Sequence, residues 1–212
     1  MNHKVLSMEK QKYLDDLQDI KMIMDRSSRF ISLSGMSGVV AGVTALFGAY
    51  LAYSIVYAGQ DYLNYRHANL SVSNLILLLT IAIGVLVVSV TGGIYFTHRK
   101  AKKNQQKAWN SQSRRLIINL FIPLATGGLV CLILIGKGLI GIIAPFTLIF
   151  YGLGLINASK YTLSEIRSLG MMEILLGIIG CQFVGYGLIL WGIGFGVLHI
   201  IYGIVMYKKY EA

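Results

Sequence analysis

Two side chains able to exchange a proton, Glu173 and His199, stand inside stretches apolar enough to lie in lipid. His199 falls near the middle of "WGIGFGVLHIIYGIVMYKK", and Glu173 in the apolar run before it. Ionisable groups within a membrane are costly, about 2.5 to 3.5 kcal/mol on insertion scales for a central Arg, Lys or Asp, so each calls for a function and a partner. Counting supplies the partner. If the chain turns about Tyr186, both residues lie 13 positions from it. That places them at one depth, roughly 20 Å from the outer surface and about 10 Å from the inner one. A carboxyl group facing an imidazole holds its tautomer and offers a proton two places to sit, which makes a proton-responsive pair. The competing reading is structural: His199 as a hydrogen-bonded packing residue, and Glu173, about four residues into its helix, snorkelling to the inner interface. Depth follows from arithmetic; the rotation of each helix does not.

A second group is aromatic. "YLAYSIVYAGQDYLNYRH" places Tyr50, Tyr53, Tyr57, Tyr62 and Tyr65 about the outer, periplasmic end of the first apolar stretch. An interfacial aromatic belt that includes Trp191 accounts for them; a ligand-facing cluster with Asp61, Arg66 and His67 is the sharper alternative. His3, His67, His98 and His199 are scattered, with no Cys or acid at ligand spacing, so no metal and no cofactor is expected. No catalytic triad, phosphate loop or paired-carboxylate motif is present, which argues against an enzyme. The glycines of Gly192, Gly194 and Gly196 are not a nucleotide loop, since no strand or polar context surrounds them. The two cysteines, Cys131 and Cys181, read as small packing residues rather than a bridge.

The elements that position these residues follow from composition. Of 212 residues, 55% are hydrophobic and only 13% charged, too apolar for a soluble domain. Six runs reach membrane-spanning length: 31–57, 72–97, 116–135, 139–156, 169–184 and 188–207. The fold class is therefore all-α, a polytopic six-helix membrane bundle built from helical hairpins, because lipid-exposed backbone must satisfy its own hydrogen bonds. Placement of the basic residues sets the orientation. Of 19 Lys and Arg, 17 lie in the segments on one side, and only Arg66 and Lys137 on the other, so both termini are expected in the cytoplasm. The net charge of +10 thus reports topology rather than nucleic acid. The first 30 residues hold eleven charges and no apolar core, so no cleavable signal is expected and the first span inserts the chain. Residues 208–212 form a short cytoplasmic tail.

Within residues 1–30, Tyr13, Leu17, Ile20 and Met24 line one face of an amphipathic helix whose other face carries Asp15, Asp16 and Asp19. Its acidity disfavours binding to lipid headgroups. Its complement is the loop "THRKAKKNQQKAWNSQSRR", which has seven basic residues and no acid, among them Arg99, Lys100, Lys102 and Lys103. The two surfaces either dock on each other or together engage a cytoplasmic protein partner; a solvated helix and a mere topology signal is the plainer alternative.

Rows of small residues set helix contacts: Ser34, Gly38 and Gly42, with Ala41, Ala45 and Ala49 beside them, and Gly192 with Gly196. Their neighbour is either in the same chain or in a homo-oligomer. "GKGLI" at 136–140 and "GYGLI" at 185–189, 49 residues apart, suggest a duplicated hairpin in one orientation. Pro123 and Pro145 are expected in the first turns of their spans, where the lost donor matters least. Broken helices are therefore not expected.

The runs "YLDDLQDIKMIMDRSSRFISLSGMSGVVAG" and "GFGVLHIIYGIVMYKKYE" resemble a family of uncharacterised six-span membrane proteins of the Bacteroidetes type. That resemblance implies residence in the bacterial inner membrane and carries over no functional residue. Two functions remain open: a non-enzymatic sensor or scaffold with a cytoplasmic interaction surface, or an oligomeric solute or proton pathway through Glu173 and His199.

Overall fold

The computed structural model describes residues 33–56, 71–105 and 108–211. The expected amphipathic helix with Tyr13, Leu17, Ile20 and Met24 lies outside the described residues, as do Tyr57, Asp61, Tyr62, Tyr65, Arg66 and His67. Among the described residues every regular element is helical: α1 (Gly35–Val56), α2 (Val72–Lys103), α3 (Ser111–Gly136), α4 (Ile143–Ala158) and α5 (Glu165–Gln182). The final helix comes in three parts, α6 (Gly187–Trp191), a π-helical segment (Gly192–Leu198) and α7 (His199–Tyr210).

Among the described residues five stretches are long and apolar enough to cross a membrane: Gly35–Ile55, Val72–Lys103, Ser111–Gly136, Ile140–Tyr161 and Val184–Tyr210. They mark a multi-pass membrane protein. The sixth expected span, 169–184, belongs to α5, which at 18 residues is about 27 Å long and carries Glu165, Arg167 and Glu173. Its three charged residues within 18 positions set it apart from the other five, each of which holds an 18-residue stretch with at most two.

α1 lies between α2 and the final helix, which in turn bridges α1 to α4 and α5, while α3 packs on the far side of α4. Glycines bring the central backbones together. Gly38 and Gly42 meet the final helix at Gly203, His199, Gly196 and Ile200 of the same chain, and Gly152 and Gly170 rest on each other's carbonyls across α4 and α5. The outer helices are coated with apolar side chains: Ile76, Ile83 and Val87 on α2, and Phe121, Leu129 and Leu132 on α3, are all more than half exposed. Lipid is the medium in which such surfaces are stable.

Two boundaries differ from the sequence expectation. Lysine and arginine are good helix formers and interact favourably with a helix C-terminus, so α2 continues past residue 97 to Lys103. Arg99, Lys100, Lys102 and Lys103 therefore belong to a helix, not a loop, and Lys100 is buried, at 7% exposure. Its Nζ donates to the Leu33 carbonyl at 2.7 Å and faces Glu211 at 3.3 Å, so it does not join an exposed interaction surface. Likewise α3 begins at Ser111, fastened by a capping box in which the Asn110 side chain accepts from the Ser113 amide (2.8 Å) and Ser113 Oγ accepts from the Asn110 amide (2.8 Å).

That early start places Pro123 in the helix interior rather than its first turns. A proline there cannot bond the carbonyl four residues back, at Asn119. The Asn157 side-chain amide of α4 donates to the half-buried Asn119 carbonyl at 3.1 Å, satisfying the group that Pro123 leaves free. The two Gly-x-Gly turns are also built differently. Gly138 has φ +73°, a conformation suited to glycine, whereas Gly187 is helical with φ −54°.

Candidate functional site

The π-helical segment Gly192–Leu198 aims the site. A π turn holds one residue more than an α turn and widens the helix, and such turns are frequent at functional positions. Prolines play no part in this break; glycine alternates with bulky apolar residues in three consecutive pairs, Gly192-Ile193, Gly194-Phe195 and Gly196-Val197, and no simpler sequence signal announces it.

Glu173 and His199 come together. Nδ1 of His199 lies 3.4 Å from Oε1 of Glu173, so the helices are rotated to face each other at the shared depth. Glu173 is 0% exposed, which rules out snorkelling to the interface. Around them sits a third group absent from the sequence expectation, Tyr151 of α4, whose hydroxyl is 2.8 Å from His199 Nε2. The tautomer follows from the partners. Nδ1 lies 3.0 Å from the Gly194 carbonyl, which can only accept, so Nδ1 carries the hydrogen and Nε2 accepts from the Tyr151 hydroxyl.

Glu173 itself receives no hydrogen bond at either oxygen. An ionised carboxylate so enclosed costs several kcal/mol unless compensated. The site therefore has two self-consistent forms, a neutral acid beside a neutral imidazole and an ion pair, which differ by one proton moved. Gly194 serves twice: its carbonyl orients His199, and its missing side chain leaves room for the Glu173 carboxyl, into which a Cβ would run together with Leu148. An aromatic stack walls the site, with Phe195 4.8 Å from Tyr151 and 4.9 Å from Trp191 between ring centres. Trp191 also donates from Nε1 to Thr147 Oγ1 at 3.1 Å, so it is held inside the helix packing as well as near a span end.

A second polar cluster lies where the two ends of the described chain meet. Glu211 accepts from the Gly35 amide at 2.6 Å and the Ser34 hydroxyl at 3.2 Å, capping α1 from 176 residues away. Beside it Glu165, ahead of the apolar part of α5, accepts from Lys209 Nζ at 2.5 Å and Tyr210 Oη at 2.9 Å. Burial alone would raise the Glu165 pKa, but the hydrogen bonds from Lys209, its own backbone amide and Tyr210 outweigh it and hold the carboxyl below its ordinary value. Its stabilising contribution is thus present above the unfolded carboxylate pKa, about 4.3, and is lost as pH falls through the lower folded value. Thermal stability of Glu165→Gln should differ from the wild type at neutral pH and converge with it in acid; a gap that stays constant down to pH 3 would contradict this.

The other expected residues stay apart from the site. Tyr50 and Tyr53 point outward from α1, at 67% and 42% exposure, as belt residues do. Cys131 and Cys181 are free thiols. Among the described residues no three His, Cys, Asp or Glu side chains converge on one point. Neither a family model nor a curated protein nor a solved structure matches this chain, so the site is read from its own geometry.

Proposed function

We propose that this protein is a proton-responsive sensor of the bacterial inner membrane, with six membrane-crossing helices, both termini in the cytoplasm and no enzymatic activity. The observation that carries the reading is Glu173: wholly buried, without a hydrogen bond, and 3.4 Å from His199 Nδ1. The titratable groups facing it are His199 from the final helix and Tyr151 from α4. Adding or removing one proton changes the charge of a water-poor site, where electrostatic interactions are several times stronger than in water.

The change has a physical route outward. His199 opens α7, about 18 Å long, and the residues at its far end, Lys209, Tyr210 and Glu211, hold α5, α1 and α2. A shift of hydrogen bonding in the adjoining π segment rotates or translates α7 as a unit, and a packed helix end has few arrangements to choose from. The distribution of Lys and Arg, 17 against 2, supports a cytoplasmic location for that end.

Trp191 provides the readout, because its ring packs on Phe195, itself stacked 5.8 Å from His199. In a Trp109→Phe background reconstituted in nanodiscs, Trp191 emission should follow a sigmoidal pH curve, and Glu173→Gln, unable to ionise, should flatten it. An unchanged curve in Glu173→Gln would sink the sensor reading. In sealed liposomes, proton flux by the wild type that disappears in Glu173→Gln would instead favour a conducting pathway.

A further inference from the structure

Independently of the Glu173 site, the far end of α2 presents an open groove along one face of that helix. The groove, of about 470 Å³, is lined by Thr91, Ile94, Tyr95, His98, Arg99 and Lys102. Thr91, Tyr95, His98 and Lys102 recur at spacings of four, three and four, so they form one stripe on the helix, with Ile94 and Arg99 flanking it. All six are exposed. Lys100, two positions from His98, turns the opposite way into the protein, where it meets Leu33 and Glu211. The basic residues of this helix end are thus sorted: one is used internally, and His98, Arg99 and Lys102 point out with no acidic partner among the described residues.

Depth adds to the argument. The apolar part of α2, from Val72 to Phe96, is 25 residues and about 37 Å long, more than a hydrocarbon core of about 30 Å, so His98 to Lys102 reach headgroup level. An apolar and aromatic lower half below a triply basic rim matches a molecule with an acyl chain and an anionic head. We propose that this groove binds an anionic phospholipid of the cytoplasmic leaflet, its phosphate held by His98, Arg99 and Lys102 and one acyl chain lying along Ile94 and Tyr95. The inference rests on α2 crossing the membrane with this end in the cytoplasm. The charge complement decides for lipid over a second copy of the chain, whose α2 would bring a like-charged rim against this one.

The test uses the full chain. In native mass spectrometry, phosphatidylglycerol should be retained in preference to phosphatidylcholine. Each cationic residue near a membrane surface contributes enough that Arg99→Gln with Lys102→Gln should weaken phosphatidylglycerol retention roughly 30-fold. Arg114→Gln with Arg115→Gln, on α3, should leave it unchanged. Equal retention of the two lipids, or undiminished retention in the Arg99/Lys102 variant, would overturn the site. Displacement of the lipid by millimolar inorganic phosphate would also overturn it, by assigning the rim to a free anion. A photoreactive benzoylphenylalanine in place of Ile94 should label lipid in native membranes; a crosslink to residues 1–32, with Asp15, Asp16 and Asp19, or to a second copy would assign the groove to that occupant instead.

Discussion

Gly203→Ala should destabilise the folded bundle by about 3 kcal/mol, the upper end of the range for forcing an extra methyl group into packed structure. A Cβ on Gly203 would stand 2.7 Å from the Gly35 carbonyl oxygen and 2.7 Å from the Val39 amide nitrogen. Both obstacles are backbone, so neither can swing aside, and α1 and the final helix would have to separate. Separation also strips Glu211 from the Gly35 amide and the Ser34 hydroxyl it caps. The matched control is Gly128→Ala on α3, where nothing lies within 4 Å of the new atom. There the gain in helix propensity, up to about 1 kcal/mol, should show as neutral or improved stability. Denaturant titration of the two variants in mixed micelles checks the contrast. Similar losses at both positions would mean that the α1 crossing is not as close as described.

The second large effect concerns the buried ammonium. Glu211→Ala should cost about 3 kcal/mol, because it leaves the enclosed Lys100 ammonium without its carboxylate, facing the Leu33 carbonyl and the Tyr210 ring, and uncaps α1. Lys100→Met should cost less, since Glu211 keeps its bonds from Gly35 and Ser34. Combining the two should recover part of the loss, as replacing both members of a buried pair removes the uncompensated charge. The same denaturant titration gives the order. Were Lys100→Met the more damaging of the two, the energetic weight would sit on the Leu33 carbonyl rather than on the pair.

These two sites mark what a sequence can and cannot convey. Gly38, Gly42 and Gly196 were visible as small-residue rows, because a row needs only the helical period. Gly203 was not, since its importance comes from what lies opposite. The equal depth of Glu173 and His199 was legible because helices rise by a fixed amount per residue. Tyr151 was not, because nothing in its spacing ties α4 to the azimuth of a helix 48 residues away. The π-helical segment escaped for a different reason: proline is the familiar breaker, and glycine-rich apolar runs are compatible with either helix form. Lys100 was counted with its basic neighbours, and only a three-dimensional view of Glu211 separates it from Arg99 and Lys102.

The cap that Glu211 places on Gly35 has a consequence in time. The two residues are 176 positions apart, and at synthesis rates of about 5 to 20 residues per second α1 waits roughly 10 to 35 seconds for its partner. Until then the Ser34 hydroxyl and the Gly35 amide lack their Glu211 acceptor, and the Lys100 ammonium has the Leu33 carbonyl but not its carboxylate partner. The latch that joins Ser34 and Gly35 to Glu211 thus spans up to 177 positions, and until residue 211 has been made the first helix is held without it.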